Sequence, residues 1–264
     1  MVSHFSIAPC IPPTVRRFLR RLICPRGKKL TGQRLSQLPQ NLAARYVDWQ
    51  IHTHQGGRGI EVPWVLRHVG ENSAHRVLDV GCVNFDPPWS RVCTERYLLD
   101  IDNFLVCVDR RMPFHIGKHY RFCQADARNL PFRDVFDSVL CISVLEHIGL
   151  LGYGQEEVDT DADKSAFLEM IRVLRPGGKL LLTVPFGAEM IHDGWIRSYT
   201  RLRLDSLLDQ AEMAGYVVYE EEGSYFMNTV QGWIHSTAEE LQTTRQYEGM
   251  ADICGLYCGV FRKQ

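Results

Sequence analysis

Several segments of the 264-residue sequence place acidic or polar residues where an apolar, β-rich run ends and a loop begins. The first reads Val77-Leu78-Asp79-Val80-Gly81-Cys82. A buried strand here carries an acid and then turns on a glycine, which lets the backbone approach a ligand with no side chain in between. The second, Leu105-Val106-Cys107-Val108-Asp109, ends on a carboxylate suited to accept two hydrogen bonds from the vicinal hydroxyls of a ribose. Gln124-Ala125-Asp126-Ala127 supplies another acid just after a β-like run, placed to accept from an adenine amine. In Cys141-Ile142-Ser143-Val144-Leu145-Glu146-His147 a fourth run opens into hydroxyl, carboxylate and imidazole. A histidine at that rim is the right group to take a proton at neutral pH. One such strand end is weak evidence, but three acids and a polar run converging on one edge of a sheet are much more specific than any single motif.

The elements that must hold these residues follow from periodicity. The segments 76–82, 104–109, 120–126, 136–143 and 179–186 are short and almost continuously apolar, as expected of strands covered on both faces. A helical pattern over 161–175 runs into Pro176-Gly177-Gly178, a stop signal before the next strand. Alternating strands and helices imply a parallel sheet. Beyond it lie a helix at 200–215, a strand at 216–222 and a closing strand at 251–263. The segment between those two strands, 223–250, reads as an insertion carrying Trp233 and a helical stretch, and long insertions in compact domains are usually functional. Upstream, helical patterns over 36–52 and 61–69 flank Gly56 and Gly57. The expected fold is α/β: a Rossmann-like, doubly wound, seven-stranded sheet, mostly parallel with an antiparallel last strand, plus N-terminal helices.

The series VLDVGC, VCVDRR, CQADARNLPF, FDSVLCISVLEHIG and RVLRPGGKLLLTVPFG resembles the class I S-adenosylmethionine-dependent methyltransferases, of the type 11-like kind, over about residues 74–220. The resemblance implies that Asp79 and Gly81 border the methionine end of S-adenosylmethionine and that Asp109 holds its ribose. It further implies that Asp126 and Ala127 frame the adenine, while Ser143 and Glu146 line the methyl-donor side. Cys82 and Arg110 adjoin these residues and complete the implied cofactor set. His147 is the candidate general base, with Tyr153 and His192 as alternatives. EHIGLLGYG and VPFG resemble a branch acting on sugars or other small molecules, so the expected acceptor is a hydroxyl of a small molecule or glycan precursor. One departure stands out: the glycine-rich turn reads Gly81-Cys82-Val83-Asn84-Phe85, with Val83 and Phe85 where glycines are usual. Ser143 occupies the position at which some relatives carry a further metal-binding Glu, and no metal is expected. Arg197 and Tyr199 are placed to face the acceptor, and Trp195, Tyr225 and Trp233 to wall it.

Composition bounds the alternatives. Net charge is −1, yet residues 1–47 hold nine Lys/Arg and no acid, leaving 21 basic and 31 acidic residues in the remainder. An acidic body argues against nucleic-acid binding. The stretch VRRFLRRLICPRGKK suits peripheral contact with an anionic membrane surface through residues 14–29, or a solvated tail. The expected organisation is a basic leader over 1–30 and one domain over 31–264, with 31–73 as a helical cover and 223–250 near the acceptor. Nine scattered cysteines with no zinc or disulfide spacing point to the cytoplasm, with the leader at the inner face of a membrane. A nucleotide-binding Rossmann oxidoreductase is a rival, but residues 81–86 do not supply its G-x-G-x-x-G turn. A non-catalytic module on the same fold is the other.

Overall fold

The structure, a computed structural model, describes residues 57–69, 75–82, 104–112, 120–153, 155, 157–229, 232–243 and 255–264. The leader, the helix expected over 36–52 and the Val83–Phe85 part of the glycine turn lie outside these residues.

Helix α1 (Arg58–His68) precedes β1 (Arg76–Val80), β2 (Phe104–Asp109), β3 (Arg121–Gln124) and β4 (Phe136–Ile142). A single 3₁₀ turn, Leu145–His147, follows β4, and then come α2 (Ala162–Val173) and β5 (Leu174–Pro185). A small hairpin of β6 (Met190–His192) and β7 (Ile196–Ser198) leads into α3 (Arg201–Met213). The chain closes with β8 (Val218–Thr229), β9 (Gly232–Ser236), the short α4 (Ala238–Thr243) and β10 (Gly255–Lys263). The main sheet runs β3-β2-β1-β4-β5-β10-β8-β9. The pairs among β1–β5 are parallel, while β10 is antiparallel to both β5 and β8.

Expected seven strands and antiparallel last strand are thus present, and β9 adds an eighth. It comes from the 223–250 segment: β8 continues through Thr229 and folds back on itself, pairing Tyr225 with Ser236. The helix stop also falls earlier than Pro176. α2 ends at Val173, and Arg175–Gly178 bulge out of β5, where the register jumps from Phe136–Leu174 to Ser138–Lys179.

Side-chain alternation divides the core. Leu78, Val80, Val106, Val108, Val139 and Leu182 pack under α2, α3 and α4. Val77, Leu105, Cys107, Leu140, Leu181 and Cys258 pack with α1 through Trp64, Val65 and Val69. Asp79, Asp109 and Thr183 fall in the second set by alternation. The parallel β1, β2 and β4 are each apolar on both faces, which is why their sequences read as continuous runs.

Candidate functional site

At the carboxyl ends of β1–β4, where strand order reverses between β1 and β4, lies a cleft of about 740 Å³, partly open to solvent. Gly81, Asp109, Arg110, Asp126, Ala127 and Ser143 all line it, and so does His147. The other three residues of the sequence set do not. Asp79 and Glu146 are buried behind its wall, and Cys82 packs against the α1 side of the core. Gly81 takes a left-handed φ of 72°, and its N–H donates to Val108 O at 2.8 Å. A Cβ there would stand 2.4 Å from a Val144 methyl, so the turn accepts only glycine.

The two acids on the β2–β3 side share a local motif that the sequence reading missed. Asp109 is 7% exposed, and Arg111 two residues on closes over it. The Arg111 backbone N–H and Nε donate to Oδ1 at 2.9 and 3.0 Å, and Nη2 donates to Oδ2 at 3.2 Å. Asp126 is held the same way by Arg128, through its backbone N–H at 2.9 Å, Nε at 3.1 Å and Nη2 at 2.8 Å. Partial burial works to raise the Asp126 pKa. The Arg128 bonds and the charges of Arg128 and Arg110 outweigh it and hold the carboxyl below its ordinary range. The Arg111 guanidinium also lies over the Tyr153 ring, 4.7 Å from its centroid, and so spans the cleft.

His147 forms the opposite rim. Its ring stacks on Trp195 at 5.0 Å and meets Tyr153 edge-on at 4.9 Å. Its Nδ1 lies 2.8 Å from the Trp195 carbonyl oxygen, which only accepts, so Nδ1 carries a proton. In the neutral ring Nε2 is therefore the basic nitrogen, and it lies 3.8 Å from Glu146 Oε1. Trp195 sits at the tip of the β6–β7 hairpin, which thereby fixes the tautomer of His147.

Beneath Ser143 lies a residue that no sequence signal marked. Glu61, in the first turn of α1, is 1% exposed. Its Oε1 accepts from Ser143 Oγ and, at 2.7 Å, from Thr183 Oγ1. Thr183 in turn receives the Ser143 N–H at its own hydroxyl, at 3.0 Å. Ser143 has φ of 46°, unusual for a side chain other than glycine and concentrated at functional turns. Burial raises the neighbouring Cys258 thiol well above its usual pKa, and the Glu61 charge adds to that.

Other expectations are corrected. Tyr199 is fully buried in the core and donates to Asp163 Oδ2 at 2.8 Å, while Arg197 pairs with Asp163 at 3.0 Å. Both face a structural ion network, because a buried carboxylate needs several partners. Of the three expected wall residues, Trp195 alone reaches the cleft rim, through its stack on His147. Tyr225 packs on Phe186 and Tyr257, and Trp233 packs near α1. His192 lies 2.8 Å from Ser198 Oγ across its hairpin. Among the described residues, no three His, Cys, Asp or Glu side chains come together as a metal site, and no helix is long and apolar enough to cross a membrane.

Comparison with known proteins places this geometry. Residues 78–182 match the family described as Methyltransferase domain, a span that runs from Leu78 within β1 to Leu182 within β5. This match supports the class I S-adenosylmethionine-dependent methyltransferase superfamily for residues 78–182. Among curated relatives, the ubiquinone/menaquinone biosynthesis C-methyltransferase UbiE of Haemophilus ducreyi is 29% identical over 70% of this chain and 67% of its own length. Its counterpart from Azotobacter vinelandii is 33% identical over 57% of this chain and 58% of its own. The chain therefore spans between half and two thirds of these two relatives. Among solved structures, the 1,6-didemethyltoxoflavin-N1-methyltransferase of Burkholderia thailandensis shares the fold, with a TM-score of 0.51 and 15% identity over 90% of this chain and 92% of that one. The cleft of this methyltransferase domain suits its cofactor in that a carboxylate stands at its β2 end where a diol acceptor is needed.

Proposed function

We propose that this domain methylates a hydroxyl of a small-molecule acceptor, a sugar or glycan precursor being the leading class. The observation that carries this reading is a single cleft with Asp109 at one end and a tautomer-fixed His147 at the other. S-adenosylmethionine, when bound, supplies an electrophilic methyl on a sulfonium, open to in-line displacement.

The chain's own residues have distinct tasks under this proposal. Asp109 accepts the ribose hydroxyls, for which the Arg111 guanidinium has to yield at least one oxygen. Ala125, Ala127 and Ile148 give the flat base an apolar wall, and Asp126 stands beside its amine. Gly81 and Ser143 flank the amino-acid end, with Asp79 and Cys82 behind the turn and Arg110 over the adenosine side. His147 Nε2 takes the proton of the acceptor hydroxyl, and the Glu146 carboxylate favours the imidazolium that forms. α1 and the β8–β9 hairpin wall the acceptor side, since Trp233 approaches Gly57 at the start of α1. The leader, through residues 14–29, contacts an anionic membrane face. Deleting residues 1–29 should then abolish co-sedimentation with phosphatidylserine vesicles and leave cofactor affinity unchanged.

A second reading, transfer to carbon, is favoured by the names of the curated relatives, which are C-methyltransferases. Turnover of candidate acceptors with deuteriomethyl-labelled cofactor, followed by NMR of the product, decides between them. A label on oxygen supports the proposal, and a label on a ring carbon replaces it with the second reading.

A further inference from the structure

We infer that Glu61 is a positioning residue for the amino-acid end of the cofactor, acting through Ser143 and Thr183. The inference rests on the reading that the cleft holds S-adenosylmethionine with its adenosine toward β2 and β3.

Three observations converge on it. Glu61 is buried, and one of its oxygens receives hydroxyl hydrogens from Thr183 on β5 and from Ser143 just past the end of β4. A buried carboxylate is costly unless satisfied, so bringing it to this spot fixes the hydroxyls that satisfy it. Ser143, one of those two donors, lines the cleft and holds a left-handed conformation. That conformation turns the chain out of β4 and into the 3₁₀ turn bearing Glu146 and His147. Thr183 completes a closed triangle, donating to Glu61 while receiving the Ser143 N–H. The cleft wall at β4 is thus held from outside the sheet by a helix more than 80 residues earlier in sequence. Glu61 sits in the first turn of α1, where the helix dipole favours an acid, so α1 and the cleft are locked by one side chain.

The test measures affinities by calorimetry for S-adenosylmethionine, S-adenosylhomocysteine and adenosine, the last lacking the amino-acid end. Glu61→Ala should weaken both full-length ligands tenfold or more and leave adenosine within about threefold of wild type. Glu61→Gln should restore them, because its amide oxygen accepts both hydroxyl hydrogens. Thr183→Val, which removes one donor with little change of shape, should shift the same two ligands in the same direction and serves if Glu61→Ala does not fold. Equal losses for all three ligands, or no loss in Glu61→Ala or Thr183→Val, would overturn the inference. So would a Glu61→Gln protein as weak as Glu61→Ala, since charge rather than position would then be the cause. A wild-type protein that binds none of the three removes the cofactor reading itself, and the inference with it.

Discussion

Asp109 and His147 carry separable parts of the chemistry and can be tested apart. Replacing Asp109 by alanine removes an acceptor for two hydroxyls and should weaken S-adenosylmethionine by about 2 kcal/mol, roughly thirtyfold. Calorimetry on the folded variant checks this, and unchanged affinity would move the ribose elsewhere. His147→Ala should leave that affinity in place and lower turnover about a hundredfold once an acceptor is in hand. Turnover of the wild type should rise with pH as the ring loses its proton, and the variant should lose that rise. A variant with full turnover transfers the role of base to another group. The strand-end residues facing the cleft were legible in the sequence because a strand's end fixes where its last side chain goes. The Arg111 and Arg128 clasps were not. An Asp-x-Arg spacing occurs in many loops, and only the backbone bend after β2 and β3 brings the guanidinium back onto the acid.

At the scale of elements, the sequence reading and the structure agree best where burial is two-sided. The apolar run 104–109 is β2 residue for residue, and α2 lies within the expected 161–175. The β8–β9 hairpin was not legible, because Phe226 is the one buried residue of β8 and its alternation is broken by Glu220-Glu221-Glu222. Nor was the joining of α1 to β4 and β5, since nothing local in Glu61 reports a partner 122 residues away. The start of β1 makes a testable pH prediction. Burial lowers the His75 pKa, and Lys179 and Arg175 lower it further while Asp137 opposes them. The ring lies 2.9 Å from Ser138 Oγ on β4. Because the folded state then binds a proton less readily than the unfolded chain, His75 contributes its full stability above about pH 6.5. That contribution is lost as pH falls from there through the lowered folded value. Urea denaturation at pH 7.5 and at pH 5.5 should show a smaller loss in His75→Gln than in wild type. An identical loss would assign the acid sensitivity to other groups.

Across the whole molecule, Asp163 ties layers that are distant in sequence. Its fully buried carboxylate takes Arg197 from β7, Tyr199 from the link after β7, and Arg203 from the first turn of α3. Asp163→Ala leaves two arginines facing each other without it and should cost about 3–5 kcal/mol. Urea denaturation checks this, and a loss under 1 kcal/mol would mean that solvent already screens the network. The order of the sheet has a further consequence, for the order of synthesis. β10 lies between β5 and β8, so the β8–β9 hairpin has no link to the rest of the sheet until β10 exists. Glu220 leaves the ribosome 37 residues ahead of Tyr257, the residue whose hydroxyl it finally receives. At about 5–20 residues per second that is a wait of roughly 2–7 s. During that interval β5 presents an unpaired edge, and the methyltransferase half of the sheet is already built beside it. A nascent chain stalled in this window displays the cofactor strands β1–β4 in final order but with an open flank, the state in which a ribosome-bound chaperone has most to cover.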